Sequence, residues 1–277
     1  MFASAQPPNL SKHERGVMIV FEGLDRSGKT GQAQILAKKM TENGIPTEFA
    51  QFPNRNTETG KKINAFLTNQ LELSDQEIHL LFSENRREVA QEMANKLKAG
   101  TSFIVDRYSY SGAVFTAAKN KPGMDLSWCF APEVGLLAPD AVFYLNVSPE
   151  VQQKRGGFGA ERYESVAFQA NAREKFDRLI DLSPAWGTYK ELHADRQRAL
   201  AKAKQRGGEE EKSEEAKEED AVAPEPITNF ISPWYKVNAD MEYNDVTLCV
   251  TSAAMDVYNI AKSEPMKFLG KLGQDSI

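Results

Sequence analysis

Eight consecutive residues, Gly23-Leu24-Asp25-Arg26-Ser27-Gly28-Lys29-Thr30, satisfy every fixed position of the pattern G-x-x-x-x-G-K-[ST]. A chain of this length meets that pattern by chance on the order of once in a hundred. The run Val17-Met18-Ile19-Val20-Phe21-Glu22 before it reads as a buried parallel strand, and Ala33, Leu36, Ala37 and Met40 after it recur at helical spacing. Strand, glycine loop and helix in that order aim a row of backbone N–H groups and a helix N-terminus at one point. That arrangement holds a triphosphate. Gly23, Ser27 and Gly28 shape the cradle, Lys29 reaches the β- and γ-phosphates, and the Thr30 hydroxyl goes to Mg²⁺.

Four further apolar runs read as strands: 47–52, 102–105, 141–147 and 234–237. Helical periodicity separates them at 59–67, 75–98, 107–118, 162–182 and 242–261. Ser74-Asp75-Gln76-Glu77 is a capping box, and Gly44 and Gly100 stop helices. Alternating strands and helices predict an α/β fold of three layers, a five-stranded parallel sheet with helices on both faces. Ligands bind such sheets at the carboxyl ends of the strands, where Glu22-Gly23, Gln51-Phe52-Pro53 and Asp106-Arg107 fall.

Composition narrows the partners. The chain has 277 residues, 41% hydrophobic, with a formal charge of −5. Segment 207–226 carries nine acidic residues against Lys212 and Lys217, net −7, so the remainder carries +2. Without a basic stripe, nucleic-acid binding is not expected. No apolar run approaches ~18 residues, so no membrane span is expected. Cys129 and Cys249 have no metal-ligand spacing and read as core residues of a reduced compartment, cytoplasmic with nuclear as the alternative. Residues 1–14 read as a flexible tail without a leader. One domain over 15–277 is expected, interrupted at about 187–230 by a helix-prone basic stretch and the acidic one. That insertion reads as a solvated loop or as an arm for an unknown partner.

A phosphate loop leaves the acceptor open. Arginines and aromatics gather at four further places: Phe52-Pro53-Asn54-Arg55; Leu80 to Arg87, with Phe82 and Arg86 on one helical face; Asp106 to Gly112; and Lys154 to Glu164, a glycine-hinged loop. Guanidinium forks suit two phosphate groups, and an aromatic face beside an arginine suits a flat base. Taken singly, Phe82 reads more readily as core, Arg55, Arg86 and Arg107 equally as surface ion-pair residues, Asp106 as a helix cap, and the 156–159 loop as an ordinary turn.

Together, Gly23 to Thr30, Phe52-Pro53-Asn54-Arg55, Leu80 to Arg86, Asp106-Arg107-Tyr108-Ser109-Tyr110-Ser111-Gly112 and Arg155 to Tyr163 resemble the eukaryotic thymidylate kinase family. The resemblance runs from about Arg15 to Leu182 and resumes near Trp234. It implies a P-loop kinase fold with a lid loop, ATP and dTMP as substrates, dTDP as product, Mg²⁺ as cofactor, and a homodimer formed through the 75–98 helix. It further implies that Lys29, Thr30 and the loop amides bind ATP, with Arg155 on adenine. Asp25 would hold the 3′-hydroxyl of dTMP, and Arg55 and Arg107 its phosphate. Phe52 would flank the nucleotide, Phe82 would stack on thymine, and Arg86 would bond its O4 edge. Ser111 and Gly112 would lie at the other polar edge, Phe115 and Tyr163 against the sugar, and Gln169 by the closed lid. Asp106 would reach Mg²⁺ through water, and Arg26 would stabilise the transferring phosphate. Gly31 stands where the family has a hydroxyl residue, and weaker ATP binding is expected from it. Two alternatives stay open: a deoxynucleoside or deoxynucleotide kinase of broader specificity, and a nucleotide-dependent binding protein without turnover.

Overall fold

A computed structural model describes residues 14–155, 162–181, 187–188, 234–263 and 266. The expected tail, the glycine lid at 156–161 and nearly all of the insertion lie outside the described residues.

The elements are β1 (Met18–Glu22), α1 (Lys29–Glu42), β2 (Thr47–Gln51), α2 (Glu58–Leu67), α3 (Asp75–Lys98), β3 (Ser102–Asp106), α4 (Ser109–Ala117), α5 (Leu126–Phe130), a 3₁₀ turn (Ala131–Glu133), β4 (Ala141–Asn146), α6 (Pro149–Lys154), α7 (Val166–Asp181), β5 (Gly187–Thr188), β6 (Trp234–Asn238) and α8 (Tyr243–Ala261). The sheet is parallel, in the order β2-β3-β1-β4-β6-β5. The five expected strands form its body. The sixth is two residues at the edge: 187–188 pair with Tyr235 and Lys236, where the sequence had suggested the start of a basic helix. An open edge on β6 offers backbone partners that outweigh local helix propensity over so short a stretch.

β1, the most apolar run, is central and buried along its whole length between β3 and β4, as a two-sided parallel strand requires. One core layer lies under α3, α4, α5 and α7 and includes Val20, Val105, Tyr110, Tyr144, Phe176 and Trp234. The opposite layer lies under α1 and α8, with Ile19, Phe21, Leu36, Met40, Val250 and Ala254. The capping box is formed: Ser74 Oγ accepts from the Glu77 amide at 3.2 Å, and Glu77 returns a carboxylate to the Ser74 amide at 2.8 Å. Helix α7 begins four residues later than expected, at Val166, because residues 162 and 163 lie in a turn.

Two short helices escaped the periodicity reading because five or six residues cannot display a period. Their caps were visible nonetheless. Asp125 accepts from the Trp128 amide at 2.9 Å, and Ser148 from the Val151 amide at 3.3 Å, with Pro149 in the first turn.

Helix α4 carries no side-chain cap of its own at Tyr108. The wholly buried Glu22, at the end of β1, supplies one from outside. Its carboxylate accepts from the Tyr108 amide at 3.0 Å, the Ser111 amide at 3.0 Å and the Ser111 hydroxyl. A carboxylate at a helix N-terminus satisfies orphan donors and the positive end of the dipole. Burial pushes the Glu22 carboxyl above its ordinary range, opposed by the Ser111 hydrogen bond and by Arg107.

Candidate active site

Strand β1 delivers the phosphate loop, and Gly28, at φ +95°, caps α1. Lys29 is 4% exposed and lies back along the loop, donating to the Leu24 carbonyl at 2.6 Å and lying 3.3 Å from Ser27 Oγ. Burial first, and then the like charge of Arg107, bring its ammonium down to about 8, while Asp106, Asp25 and Glu22 oppose the shift. A buried lysine at the end of a glycine loop and the start of a helix is placed for an anion.

Register places Phe21 of β1 opposite Asp106 of β3, so the end of β3 lies one strand from the loop. Two consecutive residues there face two parts of it. The Asp106 carboxylate accepts from the Thr30 hydroxyl and, at 3.2 Å, from Gln51 Nε2. Its second oxygen, Oδ1, is buried without a hydrogen-bond partner. Arg107, in the left-handed region at φ +66°, turns the other way to an ion pair with Asp25 and lies 3.3 Å from Ser111 Oγ. Such a conformation costs a non-glycine residue on the order of 1–3 kcal/mol, and these contacts hold it. Asp25 is further tied by Gln169, which donates to its carboxylate at 2.6 Å and accepts from its amide at 3.1 Å. Arg26, also left-handed at φ +60°, meets Glu164 at 3.0 Å.

The residues expected around the acceptor, all but Gln169, line one open cleft of about 810 Å³. Phe82 forms part of its wall and is half-buried against the Ile63, Phe66, Leu67 and Ile78 cluster. Phe52 packs on Tyr108, and Arg55 is exposed and donates to Asn64 at 2.7 Å. Phe115 and Tyr163 meet edge-on at 6.1 Å, with the Arg107 guanidinium 5.2 Å from the Phe115 ring. Gln169 lies behind this wall, bonded to Asp25 and to the Tyr163 carbonyl. Arg155 is on the far side of the phosphate loop, bridging the carbonyls of Arg26 at 2.7 Å and Ala239 at 2.8 Å.

Arg86 has a partner the sequence reading missed. Its Nε donates to Glu133 Oε2 at 2.8 Å and its second nitrogen meets Oε1, a fork between side chains 2% and 0% exposed. That leaves the third nitrogen for the cleft. A Cβ on Gly112 would lie 2.7 Å from the Arg86 guanidinium, so only glycine lets that fork cross the cleft floor.

A family model described as thymidylate kinase matches residues 21–204. The chain is 50% identical over 182 residues to the thymidylate kinase of Arabidopsis thaliana, covering 66% of this chain and 68% of that one. The chain belongs to the thymidylate kinase family. The enzyme of Danio rerio is 43% identical over 188 residues, covering 65% and 88%, and that of Homo sapiens 42% over 166 residues, covering 60% and 77%. A solved thymidylate kinase from Candida albicans superposes with a TM-score of 0.63 at 29% identity, over 92% of this chain and 98% of that one.

The family reading did not supply Glu133 or Glu22. Glu22 had a signal, a lone carboxylate closing an otherwise apolar strand. Glu133 had none, because the Ala131-Pro132-Glu133 turn meets α3 only through tertiary packing. Ser83 donates to the Pro132 carbonyl at 3.0 Å and Arg87 to the Val134 carbonyl at 2.9 Å, stapling the turn to that helix. No described helix is long and apolar enough to cross a membrane. The buried His79 lies 2.9 Å from the Thr116 hydroxyl and 3.0 Å from the Cys129 carbonyl, and burial lowers its pKa to about 4. It is a neutral packing residue.

Proposed function

We infer that the protein transfers the γ-phosphate of ATP to dTMP, giving ADP and dTDP, by direct in-line displacement. Family membership carries the reaction. The observation that supports it on this chain is one cleft joining an aromatic wall, the Arg86 fork and the Arg107–Asp25 pair to the end of the phosphate loop.

In this reading the thymine lies on Phe82 and meets Arg86, held flat by Glu133. Arg55 and Arg107 take the acceptor phosphate and Asp25 the sugar, with Gln169 holding Asp25 in place. Lys29 and the loop amides take the donor phosphates, Arg155 the adenine side, and Arg26 the charge that spreads over the transferring group. Mg²⁺ fits beside Thr30 and Asp106: the unpartnered Asp106 Oδ1 is a buried anionic oxygen that a hydrated cation would satisfy. When bound, the ion neutralises charge on the β- and γ-phosphates. A reducing cytoplasmic or nuclear setting and a homodimer through α3 complete the proposal. Leu80, 52% exposed on α3, supports the latter, and sedimentation reads the state.

A coupled assay with dTMP, dUMP, dGMP and the ribonucleotide of thymine tests the acceptor. Preference for a purine monophosphate would sink the assignment, and efficient use of thymidine would remove the need for Arg55 and Arg107. Phe82→Ala should raise the KM for dTMP roughly 5- to 100-fold with little change in the KM for ATP, the usual span for a lost aromatic–base stack. The lowered Lys29 ammonium predicts a pH effect of definite sign. Protonated Lys29 binds phosphate, so kcat/KM for ATP falls as pH rises through about 8. A profile level to about pH 9 would show that Lys29 keeps an ordinary ammonium.

A further inference from the structure

Gly31 leaves the first turn of α1 without a side chain directly beside the phosphate loop. The place is filled from another element. A Cβ on Gly31 would overlap the phenolic oxygen of Tyr243, with Cζ 3.5 Å and Cε2 3.8 Å away. The Tyr243 hydroxyl therefore stands against position 31, in the space that a side chain there would enter. Tyr243 opens α8, and its root is anchored on α1. Its carbonyl accepts from Gln32 Nε2 at 3.2 Å and lies 2.9 Å from Thr247 Oγ1, which is itself 3.0 Å from Gln32 Oε1. Gln32 and Thr247 are buried, whereas Tyr243 is 49% exposed. The Arg155 bridge between the Arg26 and Ala239 carbonyls holds the connection before α8 against the phosphate loop. The backbone at the root of this side chain is fixed to α1, and its hydroxyl stands against the first turn of α1, next to the phosphate loop.

We propose that Tyr243 is an ATP-binding residue whose phenolic O–H donates to an α-phosphate oxygen, supplying the hydroxyl that position 31 lacks. The inference rests on the reading of this loop as the ATP site. A phenol is a neutral donor at physiological pH, and the α-phosphate lies against the amides at the start of the helix that follows the loop. A hydrogen bond to a charged oxygen gives a measurable share of affinity even at a half-exposed site. Gly31 then weakens ATP binding only when Tyr243 is removed.

The test compares the intact protein with Tyr243→Phe by steady-state kinetics and calorimetry. The expected result is a KM and Kd for ATP raised about tenfold, with the KM for dTMP, the Tm and the weak affinity for adenosine unchanged. Adenosine lacks the phosphate, so an equal loss on adenosine would overturn the contact in favour of ring packing. Unchanged ATP affinity would overturn it outright. In a second pair, Tyr243→Ala should lose ATP affinity and Gly31→Ser added to it should recover most of the loss; no recovery counts against the proposal. A wild type that binds no ATP would fail the functional reading itself, whereas Tyr243→Phe matching an active wild type fails this inference alone.

Discussion

Arg26→Ala should lower kcat at least about a hundredfold while leaving the KM for dTMP within about twofold. The expectation follows from where the arginines are. Arg162 is committed to Glu72, at 2.6 Å, and lies over the Phe66 ring. Arg155 is bound to two backbone carbonyls, and Arg107 to Asp25. Arg26 is carried by the phosphate loop itself and meets the Glu164 carboxylate beside the root of the lid. A guanidinium that meets the phosphate only as charge spreads in the transition state contributes to turnover and little to ground-state binding. Single-turnover rates at saturating ATP and dTMP measure it. A near-normal rate would transfer the role to a lid arginine.

Glu133→Ala should cost about 3–5 kcal/mol of stability and also weaken dTMP binding. The mutation leaves the Arg86 charge at 2% exposure with two nitrogens unpartnered. An unpaired buried charge is far more expensive than the pair is worth, because desolvation persists while its compensation is gone. For a domain of this size the loss corresponds to a fall in Tm of roughly 10 °C. The KM for dTMP rises as well, because a loosened Arg86 no longer presents its third nitrogen at a fixed angle. Glu133→Gln, which keeps one acceptor, should fall between the two in both measurements. A Tm within about 2 °C of wild type for Glu133→Ala would mean that water reaches the pair.

Much of this was legible because the decisive elements are local. The phosphate loop, the β1 run and the Ser74 capping box are each set by residues within a few positions of one another, and the structure shows them in place. The cleft residues were named through the family's motifs, since a single Phe82 on a helix reads first as core and a single Arg86 equally well as a surface ion-pair residue. What escaped was non-local. Glu133 meets Arg86 across 47 residues, Glu22 meets Ser111 across 89, and Gln32 meets Thr247 across 215. No periodicity or spacing rule reaches across such separations. The short helices α5 and α6 escaped for the opposite reason, being too brief for a pattern, although Asp125 and Ser148 marked their starts.

Asp106 and Arg107 are neighbours in the chain, yet one bonds Thr30 at the end of the phosphate loop and the other Asp25 near its beginning. Consecutive Cα atoms stand about 3.8 Å apart whatever the rest of the molecule does. The two ends of the loop are thus gauged against a covalent length, not a hinge. The loop's curvature is set before any nucleotide arrives, and binding has little ordering entropy to overcome there. Backbone NMR order parameters over residues 23–30 should accordingly be high in the free protein and change little on adding ATP, leaving the motion of the catalytic cycle to other parts of the chain.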